Sequence, residues 1–157
     1  MRVVRVQQQD FDAAAESRAL VDGRRDIGAV VTFVGLCRDE EGRLSALELE
    51  HYPGMAEAEI EGVAAEAEQR WPLAGIVAIH RYGLVRPSEQ IVMVAVASAH
   101  RAAAFEAAEF VMDFLKTRAP FWKRAILVDG SAEGWVDAKE SDDSAAARWS
   151  NADRSIR

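Results

Sequence analysis

Residues 101–128 read RAAAFEAAEFVMDFLKTRAPFWKRAILV, a stretch that combines a helix pattern, a proline and a strand pattern. Its apolar side chains recur at helical spacing, at Phe105, Ala108, Met112 and Leu115. This spacing predicts an amphipathic helix from Arg101 to Thr117. Pro120 has no backbone N–H with which to continue that helix, so the helix must end before it. A short strand is then predicted from Ala125 to Val128.

Upstream of this stretch, strand patterns alternate with two further helix patterns. Strands are predicted at Val3–Val6, Ile27–Leu36, Leu47–Glu50, Ile76–Tyr82 and Ile91–Ala97, and helices at Phe11–Leu20 and Met55–Trp71. The Ile27–Leu36 run is almost continuously apolar, which predicts a buried strand. The alternation of Leu47–Glu50 predicts a half-buried strand that pairs back as a hairpin across the polar turn 39–43. Hairpins mixed with helices favour an α+β fold, with a mixed and mostly antiparallel sheet, over a doubly wound parallel one.

The composition is that of one globular domain, and it excludes several classes of protein. The chain has 157 residues, of which 50% are hydrophobic, and carries a formal net charge of −7. A nucleic-acid-binding protein usually has a basic excess, so that class is not expected. No window approaches the roughly 18 apolar residues that a membrane span needs. The start of the chain, residues 1–5, lacks the apolar segment of a secretory signal, so a cytoplasmic location is expected.

Several common chemistries have no matching motif. The sequence contains neither a Gly-rich dinucleotide fingerprint nor a Walker loop. The three histidines, His51, His80 and His100, fall in different predicted elements without ligand spacing, so no metal site is predicted. Cys37 is the single cysteine, which rules out an intrachain disulfide. Because it closes an apolar strand, it is predicted to be a small core residue rather than a nucleophile.

A basic cluster at the proline corner is the strongest candidate site. It comprises Lys116, Arg118, Lys123 and Arg124, with no acidic residue among them, around Pro120-Phe121-Trp122. Cations at a helix carboxyl end can simply satisfy the helix dipole, which accounts well for the two arginines. It accounts poorly for two lysines on either side of a rigid aromatic corner. Such a corner can place ammonium groups in a partly dry cleft, where they act as acid, base or nucleophile. Both interpretations stay open at this point.

Three further residues are candidate anion contacts. His100 and Arg101 open the helix that ends in the basic cluster, where free backbone N–H groups also attract anions. The competing interpretation is that His100 caps a strand end and Arg101 is an ordinary surface residue. Arg38 follows the apolar strand that ends at Leu36. The dipeptide His80-Arg81 lies inside an apolar strand and is interpreted as structural.

These motifs together resemble the large, catalytic subunits of molybdopterin synthases, the MoaE family. The most specific stretch is Lys116-Thr117-Arg118-Ala119-Pro120-Phe121-Trp122-Lys123. In chain order, the other matching motifs are Gly28-Ala29 with Thr32-Phe33-Val34-Gly35, Arg38-Asp39, Glu50-His51-Tyr52, Met55-Ala56-Glu57, His80-Arg81-Tyr82-Gly83, Ser98-Ala99-His100-Arg101, Ala104-Phe105, Trp135-Val136 and Arg148-Trp149. The resemblance therefore covers most of the chain.

The resemblance implies an α/β-hammerhead fold and a sulfurtransferase activity. Two sulfurs would pass to a cyclic pterin phosphate from the thiocarboxylated Gly-Gly terminus of a separate small, ubiquitin-like, MoaD-like subunit. A homodimer of large subunits within a heterotetramer is implied, with no metal or organic cofactor. Lys116 is matched as the main catalytic lysine and Lys123 as its partner. The implied substrate contacts are Arg38, His100, Arg101, Lys116, Lys123, Arg124 and Lys139.

Two departures from the family pattern limit what the resemblance implies. Lys139 stands where family members often have arginine, so a phosphate contact there would be a point charge rather than a planar fork. Residues 150–157 extend beyond the usual family end and receive no role, which leaves residues 1–149 as the single catalytic domain.

The length of the predicted helix adds a geometric constraint. Fifteen steps of about 1.5 Å separate the Cα atoms of Arg101 and Lys116 by roughly 22 Å. One small pterin cannot easily touch both ends, so a pocket shared across a two-fold dimer is expected. Two alternatives are a non-catalytic module that binds a phosphorylated metabolite or serves as a scaffold, and a degenerate subunit that keeps the fold without turnover. The two retained lysines argue against both.

Overall fold

The computed structural model of the chain describes residues 1–136 and 140–152. Within these residues the strands are β1 (Arg2–Gln7), β2 (Ala29–Leu36), β3 (Leu44–His51), β4 (Leu73–Arg81), β5 (Gly83–Val85), β6 (Gln90–Ser98) and β7 (Phe121–Leu127). The helices are α1 (Ala13–Val21), α2 (Met55–Arg70), α3 (Arg101–Thr117) and α4 (Glu140–Ala152).

Four of the strands form a mixed sheet in the order β1-β4-β6-β2, which we call the covered sheet. Strand β1 runs parallel to β4, and the other neighbours are antiparallel. Alternate side chains of β4 point to opposite faces, as strand geometry requires. Ile76 and Ala78 pack with α2 and α3, whereas Val77 and Ile79 pack with Leu20 of α1. Helices therefore cover both faces of this sheet, and the largest core lies between it and Phe110 of α3.

The remaining three strands form a smaller antiparallel sheet in the order β5-β3-β7, which we call the open sheet. One face packs on a small buried cluster of Cys37, Leu49 and Val85. The other face carries Leu84, which is 56% exposed. Gly83 has a φ of +87° at the point where the chain leaves β4 and enters β5, a conformation that favours glycine. This turn places the ends of the two sheets side by side.

The predicted α+β class is confirmed, and most predicted elements are present. The boundaries of α3 agree with the prediction, and Asp12 caps α1 by accepting a hydrogen bond from the backbone N–H of Ala15 at 3.0 Å. Cys37 lies in the core as predicted, and burial raises the pKa of its thiol. Strand β7 begins at Phe121, earlier than the predicted Ala125, because residues 121–124 already pair with residues 48–51 of β3.

Two predictions about the second and third strands are wrong. The run Ile27–Leu36 was predicted to be buried, yet β2 is the edge of the covered sheet, with Val30 39% and Phe33 41% exposed. The hairpin between β2 and β3 does not form, because β3 pairs with β5 and β7 in the other sheet. β3 is the central strand of that sheet, with one edge hydrogen-bonded to β5 and the other to β7, so it has no free edge for β2.

Candidate active site at the junction of the two sheets

The basic corner joins the end of α3 to the start of β7. Arg118 closes the helix by donating its backbone N–H to the carbonyl of Phe114 at 2.7 Å. After Pro120, the backbone N–H of Phe121 donates to the carbonyl of Ala119 at 2.8 Å and the strand begins. Lys116 therefore lies in the last helical turn, and Lys123 lies in the strand that leaves the corner.

His80 lies beneath this corner as a buried, neutral ring. It stacks on Phe121 with ring centroids 3.8 Å apart and an interplanar angle of 16°. Its Nδ1 lies 2.8 Å from the carbonyl oxygen of Arg81, which can only accept a hydrogen bond. Burial lowers the pKa of His80 to about 4, and the nearby charges of Lys116 and His51 lower it further. Lys116 is thus close enough to this buried, uncharged ring for its positive charge to lower the pKa of His80.

Two more rings extend this wall. His51 is paired in register with Phe121 across the open sheet, and their ring centroids are 5.8 Å apart. The ring of Tyr82 lies 4.4 Å from that of His51. The rings of His80, Phe121, His51 and Tyr82, which we call the ring wall, therefore connect the ends of both sheets under the lysine corner.

The basic residues of the cluster differ in how they are neutralised. Arg118 forms salt bridges with Glu66 at 3.2 Å and Glu59 at 3.6 Å. Arg124 binds Glu48 at 2.7 Å. Lys116 is exposed, and its side chain forms no hydrogen bond or salt bridge with any residue that the structure describes. It is therefore a cation available to an anionic ligand.

Lys123 and Arg124 occupy opposite faces of β7. Lys123 is half-buried and lies opposite Leu49, on the face that also carries Phe121. Its backbone is paired with Val136, through bonds of 3.3 and 2.8 Å. Arg124 lies opposite Glu48 on the other face, where its guanidinium carbon is 4.5 Å from the ring centre of Trp135. Lys123 thus shares a face of β7 with Phe121, whose ring stacks on His80 where the charge of Lys116 is felt, and Arg124 lies on the other face.

The other predicted contacts lie elsewhere in one protomer. His100 and Arg101 are exposed at the far end of α3 from Lys116, and the His100 side chain makes no capping hydrogen bond. Arg38 lines a separate cavity of about 390 Å³ together with Asp39, Glu40, Glu41 and Arg43. Lys139 lies outside the described residues.

A second cavity of about 390 Å³ lies beside the corner, lined by Glu50, His51, Tyr52, Trp122 and Trp135. We call it the aromatic groove. Among the described residues, no group of three or more His, Cys, Asp or Glu side chains is placed to hold a metal ion. No described helix is both long enough and apolar enough to cross a membrane.

Comparison with known proteins identifies the family. Residues 6–118 match the sequence model of a family described as MoaE protein. The chain belongs to this family. A molybdopterin synthase catalytic subunit from Mesorhizobium japonicum is 68% identical over 146 residues, which are 93% of this chain and 92% of the relative. One from Brucella melitensis is 60% identical over 93% of this chain and 90% of the relative.

Solved structures of the MoaE family have the same architecture. A molybdopterin biosynthesis MoaE protein from Burkholderia ambifaria superposes with a TM-score of 0.82 at 50% identity, covering 96% of this chain and 99% of the other. A molybdopterin synthase from Staphylococcus aureus superposes with a TM-score of 0.74 at 28% identity, covering 83% and 94%. The family resemblance and the fold class predicted from the motifs are thus confirmed.

Sequence reasoning missed two features of this MoaE-family site, the stacked position of His80 and the aromatic groove. His80 was interpreted as structural, which its burial supports, but its stacking beneath Phe121 next to Lys116 was not predicted. The aromatic groove was also missed, although Glu50-His51-Tyr52 and Trp122 all stand in motifs of the resemblance. The available signal was the aromatic content of these motifs, and only the pairing of β3 with β7 shows that they meet.

Proposed function

We propose that this chain is the catalytic subunit of a cytoplasmic molybdopterin synthase, a sulfurtransferase that converts a cyclic pterin monophosphate into the dithiolene molybdopterin. The sulfur arrives as a thiocarboxylate on the C-terminal Gly-Gly of a small, ubiquitin-like subunit. The observation that carries the proposal is the lysine corner of this MoaE-family chain, where Lys116 has no carboxylate partner among the described residues. The high identity to named catalytic subunits over most of the chain supports it.

The two lysines supply the chemistry in this proposal. The charge of Lys116 is felt at a buried neutral imidazole, and its side chain has no carboxylate partner among the described residues, so its charge is not cancelled locally. The thiocarboxylate sulfur attacks a side-chain carbon of the pterin, whose C–O bond breaks, and water then attacks the carbonyl of the thioester so formed. A cation in such a site stabilises the oxyanion of that hydrolysis, whose C–S cleavage leaves the sulfur on the pterin and a carboxylate on the small subunit. Lys123, on the Phe121 face of β7, assists in proton transfer. Two such transfers deliver the two sulfurs.

The substrate phosphate is held by cations from both ends of α3 and from the Arg38 loop. Arg38, His100 and Arg101 are proposed as the principal phosphate contacts, with Arg124 and Lys139 as further contacts. Because α3 is one uninterrupted helix from Arg101 to Thr117, His100 and Arg101 cannot easily reach the pterin beside Lys116 of the same protomer. We therefore propose that a homodimer of large subunits, within a heterotetramer, forms each pocket from two protomers.

The test is subunit complementation in an assay with a thiocarboxylated small subunit and the cyclic pterin phosphate. Arg101→Ala and Lys116→Ala are each expected to inactivate their homodimers. After the two variants are unfolded together and refolded, mixed dimers contain one pocket with neither substitution. About a quarter of wild-type activity per pocket should return if mixing is random, because one pocket in two is intact in half of the dimers.

Two other outcomes are informative. Mixed dimers that form, as judged by differently tagged subunits, but stay inactive would show that each pocket is built within one protomer. Wild-type protein that binds the pterin phosphate without turnover would favour the alternative of a phosphometabolite-binding or scaffold module. An activity of wild-type protein that survives Lys116→Ala would remove the lysine corner from the mechanism.

A further inference from the structure

The turn that carries His100 and Arg101 is in unusually close backbone contact with the start of β2. Gly28, the residue before β2, donates its backbone N–H to the carbonyl of Ser98 at 3.0 Å. A Cβ atom placed on Gly28 would lie 2.2 Å from the carbonyl oxygen of Ala99, and it could be accommodated only if that distance widened to at least 3.0 Å. The φ of Gly28 is not positive, so glycine is required here for space rather than for backbone freedom.

The turn itself is fixed through its backbone and one buried hydroxyl. Ser98 is fully buried, and its hydroxyl donates a hydrogen bond to the carbonyl of Pro72 at 2.9 Å. The same oxygen accepts a hydrogen bond from the backbone N–H of His100 at 3.4 Å. Together with the bond from Gly28 to Ser98, these contacts set the path by which the chain leaves β6 and enters α3.

The two side chains that leave this turn have no anchor of their own in the described part of the chain. His100 and Arg101 are both exposed, and the His100 side chain makes no capping hydrogen bond. Neither side chain forms a hydrogen bond or salt bridge with the residues that the structure describes. Their location is therefore set by the backbone, and the Ala99 peptide that precedes them rests against Gly28.

We propose that Gly28 is a positioning residue for the phosphate end of the pocket, because its missing side chain lets the Ala99 peptide lie where His100 and Arg101 can reach the substrate phosphate. The inference rests on the proposed function, in which these two groups hold the phosphate of a pterin bound beside Lys116 of the partner subunit. Hydrogen bonds weaken steeply when a donor is misaligned, and a misplacement of about 1 Å can lower a rate about a hundredfold. A shift of the Ala99 peptide would misplace both groups at once.

The experiment is subunit complementation with Gly28→Ala, in the assay with the thiocarboxylated small subunit. Homodimers of Gly28→Ala should lose about a hundredfold in activity. Mixed dimers with Lys116→Ala contain one pocket in which both contributing ends are intact, so about a quarter of wild-type activity should return after random mixing. Mixed dimers with Arg101→Ala should stay inactive, because both variants damage the same end of the pocket. A substitution that only destabilises the chain would not distinguish between these two partners.

A second variant and two controls guard against a simple folding defect. Ser98→Ala removes the two hydrogen bonds of the hydroxyl without adding volume, so it should give a smaller loss with the same pattern of complementation. Gly62→Ala makes the same substitution in α2, where a Cβ would meet nothing within 4 Å outside the helix backbone, and should keep wild-type activity. Val63→Ala opens a cavity in the core beneath α2 and should lose stability without losing activity per folded protein.

Binding of inorganic phosphate to the homodimers, followed by NMR through the ring protons of His100, tests the same role without turnover. Gly28→Ala should bind phosphate about tenfold more weakly, the effect of losing one hydrogen bond to a charged group, whereas Gly62→Ala should match the wild type. The inference is overturned if the wild-type ring does not respond to phosphate or if Gly28→Ala binds phosphate normally. It is also overturned if Arg101→Ala and Lys116→Ala complement each other while Gly28→Ala restores activity to Arg101→Ala. Weakened phosphate binding in Gly28→Ala, in a protein whose wild type transfers no sulfur, would reject the proposed function alone.

Discussion

The two sheets of this protein differ in what covers them. The covered sheet is buried on both faces by helices, and Ile76, Val77 and Val94 are fully buried. The open sheet has a buried side with a small apolar cluster, and its other side exposes Leu84 and carries Arg124, which stacks on Trp135 of the segment after β7. One chain thus contains a sheet that can contribute mainly to stability and a sheet that leaves side chains free for ligands.

This difference explains where the candidate chemistry lies. A charged or polar side chain inside the covered sheet loses hydration, and its burial is costly unless hydrogen bonds replace the lost water. At the end of the covered sheet, His80 is neutral and stacked, and the buried guanidinium of Arg81 donates to the carbonyls of Gln8 and Gln90, so neither is a free cation for a ligand. The cations belong to the helix end and to the open sheet, where water and ligands can reach them. At the junction of the two sheets, the buried covered sheet therefore supports a cationic site that water and ligands can reach.

The largest expected effect separates activity from stability at this junction. Lys116→Ala should lower sulfur transfer by at least about a hundredfold, because it removes a cation placed to stabilise developing charge. The same change should alter the free energy of unfolding by less than about 1 kcal/mol, since alanine favours an exposed helix turn and only a dipole interaction is lost. Turnover in the synthase assay and urea unfolding measure the two quantities.

Phe110→Ala, in the core beside the covered sheet, should show the opposite pattern, a large loss of stability with little loss of activity. Phe110 of α3 is fully buried against Trp71 and Trp149, so its truncation should cost roughly 3–5 kcal/mol of stability. Under conditions where this variant is folded, its activity per folded protein should stay within a few-fold of the wild type. If Lys116→Ala is as unstable as Phe110→Ala, the lysine is structural and the division between the two regions is wrong.

The sequence predicted the covered sheet and its helices well because their signals are local. The period of α3 and the stop at Pro120 are read directly from neighbouring residues, and so are the apolar runs of β4 and β6. The open sheet was harder, since β3 was assigned to the wrong partner and β5 was missed. Pairing of β3 with the distant β7 depends on contacts that no local pattern contains.

The candidate site shows the same limit. Lys116 and Lys123 were found from their spacing around the corner and from the family motif.

Helix α4 was missed because its sequence is polar. It packs on α3 through Trp149, whose ring N–H donates to Asp113 at 2.6 Å. The division into residues 1–149 and 150–157 stays a prediction, as do the roles of the individual site residues.

The next prediction concerns the pH dependence of stability at His80, whose ring links the two sheets. The pKa of His80 is lowered from an ordinary value of 6.5 to about 4, chiefly by burial. Below pH 6.5 the unfolded chain binds a proton at His80 that the folded chain does not bind until about pH 4. The stability that the neutral ring provides is therefore present above pH 6.5 and is lost as the pH falls towards 4, by up to about 1.4 kcal/mol per pH unit.

His80→Phe isolates this contribution. Phenylalanine keeps a ring against Phe121 but cannot bind a proton, so the free energies of unfolding of the two proteins should converge or cross as the pH falls from 6.5 to 4. Above pH 7 their difference should be constant. Carboxylates such as Asp10, whose pKa is lowered mainly by a hydrogen bond from Gln90, titrate in both proteins and cancel in the comparison. Parallel stability curves between pH 4 and 7 would mean that His80 is not held neutral beside Lys116 and His51.

The smallest expected effect lies on the outer face of the open sheet, at Arg124. Its side chain is already bound to Glu48 and stacked on Trp135, with side-chain exposures of 32% for Arg124 and 24% for Glu48. Partly exposed ion pairs contribute about 1 kcal/mol or less, and so do cation–π contacts at such sites. Arg124→Gln should therefore lower the free energy of unfolding by only about 1 kcal/mol. Arg124 is proposed only as a further phosphate contact, and its guanidinium must share its donors with Glu48, so KM for the pterin phosphate should rise by no more than about threefold. Steady-state kinetics of Arg124→Gln and Lys123→Ala, measured in the same assay, check this prediction. The two residues are neighbours on opposite faces of β7, and the lysine variant should be severely impaired. A tenfold or larger rise in KM for Arg124→Gln would place the substrate phosphate on the outer face and would reverse the assignment of the two faces.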